Sequence, residues 1–375
     1  MIRVSKSVIG QAEQEAVRSV LSQGFLGTGP ETQMFEQELG NYLGGDSEVM
    51  CVSTGTAALQ LGLQACGIGA GDEVLVPTLT FVASFQAISA TGAAPVGCDV
   101  RDDDGLLDLS DAAHRLTPRT KAIMPVHYAS HVGDLDAIYE FAQRHGLRVI
   151  EDAAHAFGCT HRGRKIGSFG DVVCFSFDGI KNITSGEGGA VVTCDRSVAQ
   201  FVQDARLLGV ERDTERRYRR ERSWDFDVQE QGWRYHMSDL LASIGRTQLK
   251  RFDAEFRPKR VALARRYREL LARQTQVRLF ASDIGDVVPH IQPIRVGGGK
   301  RDGVRAKLEE SGVQTGIHYK PNHLLTKFRV EGARPFPVAE TIYGEILTLP
   351  LHPDLGLADV DEIACLVDQA IKSLP

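Results

Sequence analysis

Between about residues 47 and 200 the chain alternates short apolar runs with amphipathic stretches, and this alternation admits few folds. Buried strands separated by helices assemble into a mainly parallel sheet with those helices on its faces. The expected strands are residues 49–53, 73–77, 94–99, 122–126, 147–151, 172–176 and 189–193. Helices are expected at 56–66, 81–90 and 134–145, between strands, and at 196–208 after the last. Gly62 weakens the pattern of the first helix, whereas Gly146 and Gly209 follow the third and fourth, where a helix stop belongs.

Beyond Gly209 the pattern changes. Residues 211–230 are dense in charge, with Arg212, Arg216, Arg217, Arg219, Arg220 and Arg222, which a solvated loop explains more simply than a functional basic patch. Ser238 suits the N-cap of a helix running through Lys250, and another helix is expected from about Pro258 to Gln274. The rest mixes strands at 291–296 and 314–317 with helices at 302–311 and 358–374, enough for a smaller α+β unit. The expected division is a large domain over 1–240, including the N-terminal segment, and a small C-terminal domain over 241–375.

Composition narrows the function. A chain of 375 residues, 42% hydrophobic, buries a full core without disulfides or metals. With Lys+Arg 43 against Asp+Glu 49 and a net charge of -6, it lacks the broad basic field of a nucleic-acid binder. The N-terminal residues carry no signal-like apolar stretch, and no window approaches the ~20 apolar residues of a membrane span, so a cytoplasmic protein without a membrane partner is expected. Seven cysteines, with no two spaced as C-x-x-C, read as reduced core residues. Cys159 has His155 and His161 close by but no second cysteine, so no metal site is expected.

Four segments carry chemistry. The apolar run ending in Glu151 and Asp152 puts carboxylates at a strand end, where a parallel sheet borders its ligand crevice. Asp152 in that place suits either a partner for a cationic ring nitrogen or the N-cap of a following helix. A second apolar strand leads to Lys181, followed by the Gly-rich turn from Gly186 to Gly189. Buried there, the lysine loses hydration and shifts toward the neutral amine that attacks carbonyls; a snorkelling surface lysine fits the same residues. Thr54-Gly55-Thr56 is a strand-to-helix turn whose free amides favour an anion, although taken alone it is better explained as an ordinary turn. Phe81, just past a strand end, suits stacking on a flat ligand or plain helix packing. Together an anion cradle, an aromatic plate, a strand-end carboxylate and a desolvated lysine are what pyridoxal phosphate demands.

The chain resembles the DegT/DnrJ/StrS family of nucleotide-sugar aminotransferases. The resemblance rests on Gly24-Phe25-Leu26 with Gly29-Pro30, Thr54-Gly55-Thr56, Thr80-Phe81, Glu151-Asp152-Ala153-Ala154-His155, Gly167 to Asp171, Ser176-Phe177 through Lys181, Gly186 to Gly189, Gly232 to Asp239, and Leu349-Pro350-Leu351-His352, in order along nearly the whole chain. It implies an α/β fold of fold-type I, the aspartate-aminotransferase-like class, and pyridoxal 5'-phosphate as cofactor, with the pyridoxamine form as intermediate. It makes Lys181 the lysine that carries the cofactor and shuttles the proton, and Asp152 the partner of the ring nitrogen. His155 falls beside the phenolic oxygen, Ser176, Gly55 and Thr56 at the phosphate, and Phe81 over the ring. Tyr319 and His323 would border the substrate.

Two departures stand out. Where the family commonly has Gly-Tyr-Asn-Tyr-Arg reaching the neighbouring subunit's phosphate, this chain has Gly232-Trp233-Arg234-Tyr235-His236, so Arg234 replaces an amide. Where the family's Pro-Val-His is often followed by a Gly-containing turn, Pro125-Val126-His127 leads into Tyr128-Ala129-Ser130-His131. The implied reaction moves an amino group from L-glutamate to a keto or aldehyde sugar, nucleotide-linked, in a homodimer with shared sites. The alternatives are a sugar dehydratase of the same fold and a non-catalytic cofactor-binding regulator. Lys181 and the scattered cysteines argue against the dehydratase, whose family branch has a histidine at the lysine position or an iron–sulfur cluster; Lys181, Asp152 and Ser176 together argue against the regulator.

Overall fold

A computed structural model of the chain describes residues 1–210, 213–221, 225–281, 285–332 and 334–375. Helices α1 (Gln11–Gln23) and α2 (Pro30–Leu43) lead into β1 (Glu48–Val52), α3 (Gly55–Ala65), β2 (Glu73–Pro77), α4 (Val82–Ala90), β3 (Ala94–Cys98), α5 (Leu109–His114), β4 (Thr120–Ile123), α6 (Leu135–His145) and β5 (Arg148–Asp152). After a short hairpin of β6 (Thr160–His161) and β7 (Arg164–Lys165) come β8 (Val172–Ser176), β9 (Gly189–Thr193), α7 (Arg196–Ala205) and α8 (Asp213–Tyr218). The sheet order is β1-β9-β8-β5-β4-β2-β3. Strand β9 runs against its neighbours β1 and β8, and the other pairs are parallel. Every residue of β2, β8 and β9 is buried, which is why these strands read as continuous apolar runs rather than alternating ones.

The helices pack on this sheet. Gly62 sits in α3 because a Cβ there would lie 3.0 Å from Val172 Cγ1 and 3.3 Å from Cys174 Sγ, so the glycine sets how closely the helix approaches β8. Gly146 caps α6 in the left-handed conformation at φ 66. Gly209 does not cap α7: that helix ends at Ala205, before the expected stop, and Gly209 lies in the turn beyond it.

Helices α9 (Asp239–Arg251) and α10 (Arg257–Leu271) follow, then β10 (Val277–Arg278), β11 (Gln292–Val296), α11 (Arg301–Glu310), α12 (Pro337–Glu345), β12 (Ile346–Leu349) and α13 (Leu357–Ser373). Ser238 is the N-cap of α9, its hydroxyl accepting the Leu241 N–H at 3.4 Å. Strands β10, β11 and β12 form a second, antiparallel sheet, and Tyr267, Ile294, Leu347, Ile363 and Val367 share the core over it. The strand expected at 314–317 is reduced to a single bridge between Gly316 and Thr348. Its neighbours instead bond to the chain start, where Gln314 N–H donates to the Ile2 carbonyl at 2.9 Å. The N-terminal residues therefore lie against 312–314 and 351, while α9 packs on α1 and α2.

The arginine-rich stretch is more than a solvated loop. Arg212 and Arg222 lie outside the described residues, but between them α8 buries Asp213 and Thr214, and Arg217 pairs with Asp213. Tyr218 bonds both the buried Arg206 and Glu36, tying α8 to α2 and α7. The cysteines also divide. Cys51, Cys98, Cys159 and Cys174 are buried and Cys66 is half-buried, but Cys194 and Cys365 are exposed, against the expectation of core residues.

Candidate active site

The carboxyl ends of β5 and β8 and the start of α3 converge on one cavity of about 360 Å³. Asp152 is the last residue of β5 and is buried. No helix begins after it, so its Oδ1 accepts the Ala154 N–H at 3.2 Å in a local turn, and Oδ2 accepts the Ser84 hydroxyl at 2.7 Å. The N-cap reading is thereby set aside. Asp152 has no ion pair among the described residues, and burial pushes its carboxyl up despite those two donors and the nearby Lys181. A cation brought against it restores the anion.

Lys181 lies past β8, in a turn shaped by Asp178, whose carbonyl accepts the Lys181 N–H at 3.1 Å and whose Oδ1 accepts the Ile180 N–H at 3.2 Å. Burial lowers the Lys181 ammonium, and Asp178 and Asp152 counter only part of that loss. The lysine is desolvated inside the cavity, not snorkelling from the surface.

At the start of α3, Thr54 Oγ1 accepts the Ala57 N–H at 3.0 Å and the Thr54 carbonyl accepts the Ala58 N–H, so the leading amides, those of Gly55 and Thr56, are left without helix partners. A Cβ at Gly55 would stand 2.8 Å from Ser176 Cβ, and one at Gly189 would stand 2.5 Å from the Thr54 carbonyl oxygen. Both glycines are required by close approach, which brings the helix start against the Ser176 hydroxyl. The result is an anion cradle of amides and a hydroxyl.

His155 is buried with Nε2 shared with the Tyr319 hydroxyl at 3.1 Å and Nδ1 without a partner among the described residues. Burial holds its imidazole well below the usual histidine range, and therefore neutral. Phe81 is 56% exposed at the cavity mouth, tilted against Tyr319 at 5.5 Å between ring centroids.

Gly55, Thr56, Phe81, Asp152, His155, Ser176, Lys181 and Tyr319 thus line the same cavity. His323, expected there, and Arg234, expected at the neighbouring subunit's phosphate, lie outside it. His323 is held elsewhere: Nδ1 bonds Thr78 Oγ1 at 2.8 Å, Nε2 faces Glu340 at 3.2 Å, and its ring stacks on Phe336 at 4.1 Å. With both nitrogens and its ring face engaged, it ties the loop after β2 to α12 and does not border the cavity. Arg234 is exposed and outside this chain's own cavity. Trp233 and Tyr235 on either side bond Gln64 at 2.9 Å and Gln60 at 3.1 Å on α3, so Arg234 between them faces away from it.

The cavity also uses residues that the motifs did not single out. His318, beside Tyr319, lines it and is lowered to about 4 by burial; Asp178 and Glu187 add carboxylates. His318 belongs to the same 318–323 segment as Tyr319 and His323, which the resemblance places beside the substrate. In the loop after Val126, Ala129 at φ 53 and Ser130 at φ 72 take up the left-handed conformation that a glycine turn would use. Tyr128 donates to the His318 carbonyl at 2.6 Å. Among the described residues, no group of three or more His, Cys, Asp or Glu side chains is placed to share a metal ion.

A buried carboxylate lacking a cation, an orphaned imidazole nitrogen, a helix-start cradle and a dehydrated lysine in one cavity fit pyridoxal phosphate, and the sheet is that of a fold-type I enzyme. The chain belongs to the DegT/DnrJ/EryC1/StrS aminotransferase family, whose profile matches residues 7–368. It is 36% identical over 377 residues to the spore coat polysaccharide biosynthesis protein SpsC of Bacillus subtilis (strain 168), covering 98% of this chain and 96% of that protein. Among solved structures it is similar to the aminotransferase TlmJ from Streptoalloteichus hindustanus, with TM-score 0.91, 34% identity and coverage of 100% of this chain and 99% of that one. It is also similar to NtdA from Bacillus subtilis, solved with bound cofactor PMP, with TM-score 0.88, 29% identity and coverage of 97% and 83%. The protein is a pyridoxal-phosphate-dependent sugar aminotransferase. Among the described residues no helix is long and apolar enough to cross a membrane.

Proposed function

We propose that this chain transfers the amino group of L-glutamate to a keto or aldehyde sugar linked to a nucleotide, as a homodimer in the cytoplasm. The observation that carries the site assignment is the pairing, in one cavity, of the cation-free Asp152 with the dehydrated Lys181. When bound, pyridoxal phosphate supplies an aldehyde that captures amines and a ring that absorbs carbanion charge. Lys181 Nζ, held toward its neutral form by burial, is the amine that holds the cofactor and, once displaced by the donor, takes the proton from the donor's amino-bearing carbon. Asp152 carries the negative charge that keeps a ring nitrogen protonated, with Ser84 and the Ala154 amide fixing its oxygens. The amides of Gly55 and Thr56 and the Ser176 hydroxyl hold the phosphate, His155 faces the phenolic side, and Phe81 with Tyr319 excludes water.

The outward Arg234, on a segment docked to α3, supports its role at the neighbouring subunit's phosphate, where a guanidinium engages two oxygens. The division into a larger unit to about residue 240 and a smaller one after it is part of the proposal, with the N-terminal residues resting against the smaller unit and α9 against the larger. Seven free cysteines support a reducing compartment. The test is to convert the protein to its pyridoxamine form with glutamate and add a panel of nucleotide-linked and free keto sugars. Return of the aldehyde form's absorbance with a nucleotide-linked sugar supports the reading; return with free sugars alone overturns the nucleotide assignment.

A further inference from the structure

Ser130 lies in the Tyr128–His131 segment, which stands where the resembled family often has a Gly-containing turn, and it keeps a left-handed backbone, φ 72, that a side chain disfavours. Ala129 takes the same conformation at φ 53, but the Ser130 side chain adds hydrogen bonds that neither glycine nor alanine could make. Ser130 is fully buried, and its hydroxyl is doubly engaged: it donates to the His155 carbonyl at 2.5 Å and accepts the His290 N–H at 2.9 Å. One oxygen thereby joins the loop after β5, which carries His155, to the segment before β11, which carries His290. The two imidazoles lie 4.4 Å apart between centroids, tilted by 46°. His155 Nε2 is shared with the Tyr319 hydroxyl at 3.1 Å, and its Nδ1 is unpartnered among the described residues.

We propose that Ser130 is a positioning residue that orients the His155 imidazole toward the cofactor by pinning the His155 and His290 backbones through one hydroxyl. The inference rests on His155 facing the cofactor. The hydroxyl links the backbones that carry the two adjacent imidazoles. Two variants separate the hydroxyl from the backbone. Ser130→Gly removes the hydroxyl and relieves the left-handed strain, whereas Ser130→Ala removes the hydroxyl and keeps the strain.

The experiment measures, for each holoenzyme, the visible circular dichroism of the bound cofactor, the cofactor dissociation constant and the melting temperature. The expected result is a changed visible dichroism and cofactor binding weaker by about threefold to tenfold in both variants, the scale of one or two lost hydrogen bonds, while Ser130→Gly melts at or above Ser130→Ala. Wild-type dichroism and affinity in Ser130→Gly would overturn the proposal and leave the hydroxyl a loop contact only. A changed dichroism in Ser130→Ala alone would also overturn it, since strain and not the hydroxyl would be the cause. A wild-type protein with no visible cofactor band would overturn the cofactor reading itself, and this inference with it.

Discussion

Replacing Gly55 by alanine sets two physical effects against each other. Gly55 opens α3 without a positive φ, so a methyl there is conformationally allowed, and helix propensity alone predicts stabilisation by about 0.5–1 kcal/mol. The added Cβ, however, would lie 2.8 Å from Ser176 Cβ, 3.1 Å from its Oγ and 3.3 Å from its Cα. That is well inside the roughly 3.5 Å at which carbons pack. Ser176 cannot retreat, because β8 is paired with β5 on one side and β9 on the other, with Ser176 opposite Gly189. The helix start must move instead, at an overpacking cost of about 1–3 kcal/mol. The net result is a loss of about 0–2.5 kcal/mol, and because the displaced groups are the phosphate cradle, cofactor binding weakens by up to about 30-fold. Denaturant unfolding of the apoprotein and titration of the visible cofactor band measure the two parts. A Gly55→Ala protein that is more stable and binds cofactor as wild type would refute the cradle.

Asp152→Asn keeps the acceptor of the Ser84 hydroxyl but removes the charge, so the cofactor is retained while turnover with glutamate falls by about 10²- to 10⁴-fold; near-normal turnover would make Asp152 a merely structural carboxylate. Arg234→Ala weakens cofactor retention with the dimer intact, and mixing it with Lys181→Ala restores about a quarter of wild-type activity, since a mixed dimer has one site with both residues intact. No recovery in proven mixed dimers would place Arg234 outside the neighbour's site. His131, buried beside Arg268, is lowered to about 4 from 6.5. Below its unfolded pKa the unfolded chain binds a proton the folded one refuses, so His131 alone removes about 2 kcal/mol of apoprotein stability from pH 7 to pH 5, beside the share of the other buried histidines, and His131→Phe lessens the total loss; a variant as pH-sensitive as wild type contradicts this.

The sheet was legible because its strands are buried on both faces and punctuated by turns: residues 73–77, 172–176 and 189–193 match to the residue. Other elements gave weaker signals. In α1 only Glu13 and Val20 are buried, too few apolar positions for a helical period. Neither α12 nor β12 was expected, because Ile346–Leu349 follows Pro337–Glu345 directly with no turn to separate the two elements. The site residues were legible where they sit at strand ends or helix starts, as Asp152, Ser176 and Gly55 do. Lys181 is fixed by its short turn after β8. His323 and His318 lie in an irregular segment, where no period says which side chain turns inward; His323 went to Thr78 and Glu340, and His318 to the cavity. Ser130 was not singled out within the departing Tyr128–His131 segment, because its partners are 25 and 160 residues away.

The central claim is that Lys181 is the amine that holds the cofactor. Borohydride reduction of the yellow holoenzyme followed by peptide mapping tests it directly: the visible band is lost irreversibly and the pyridoxyl label is found on Lys181. A Lys181→Ala protein that still forms a borohydride-reducible adduct within the cavity, or a wild-type label on another lysine, would contradict it.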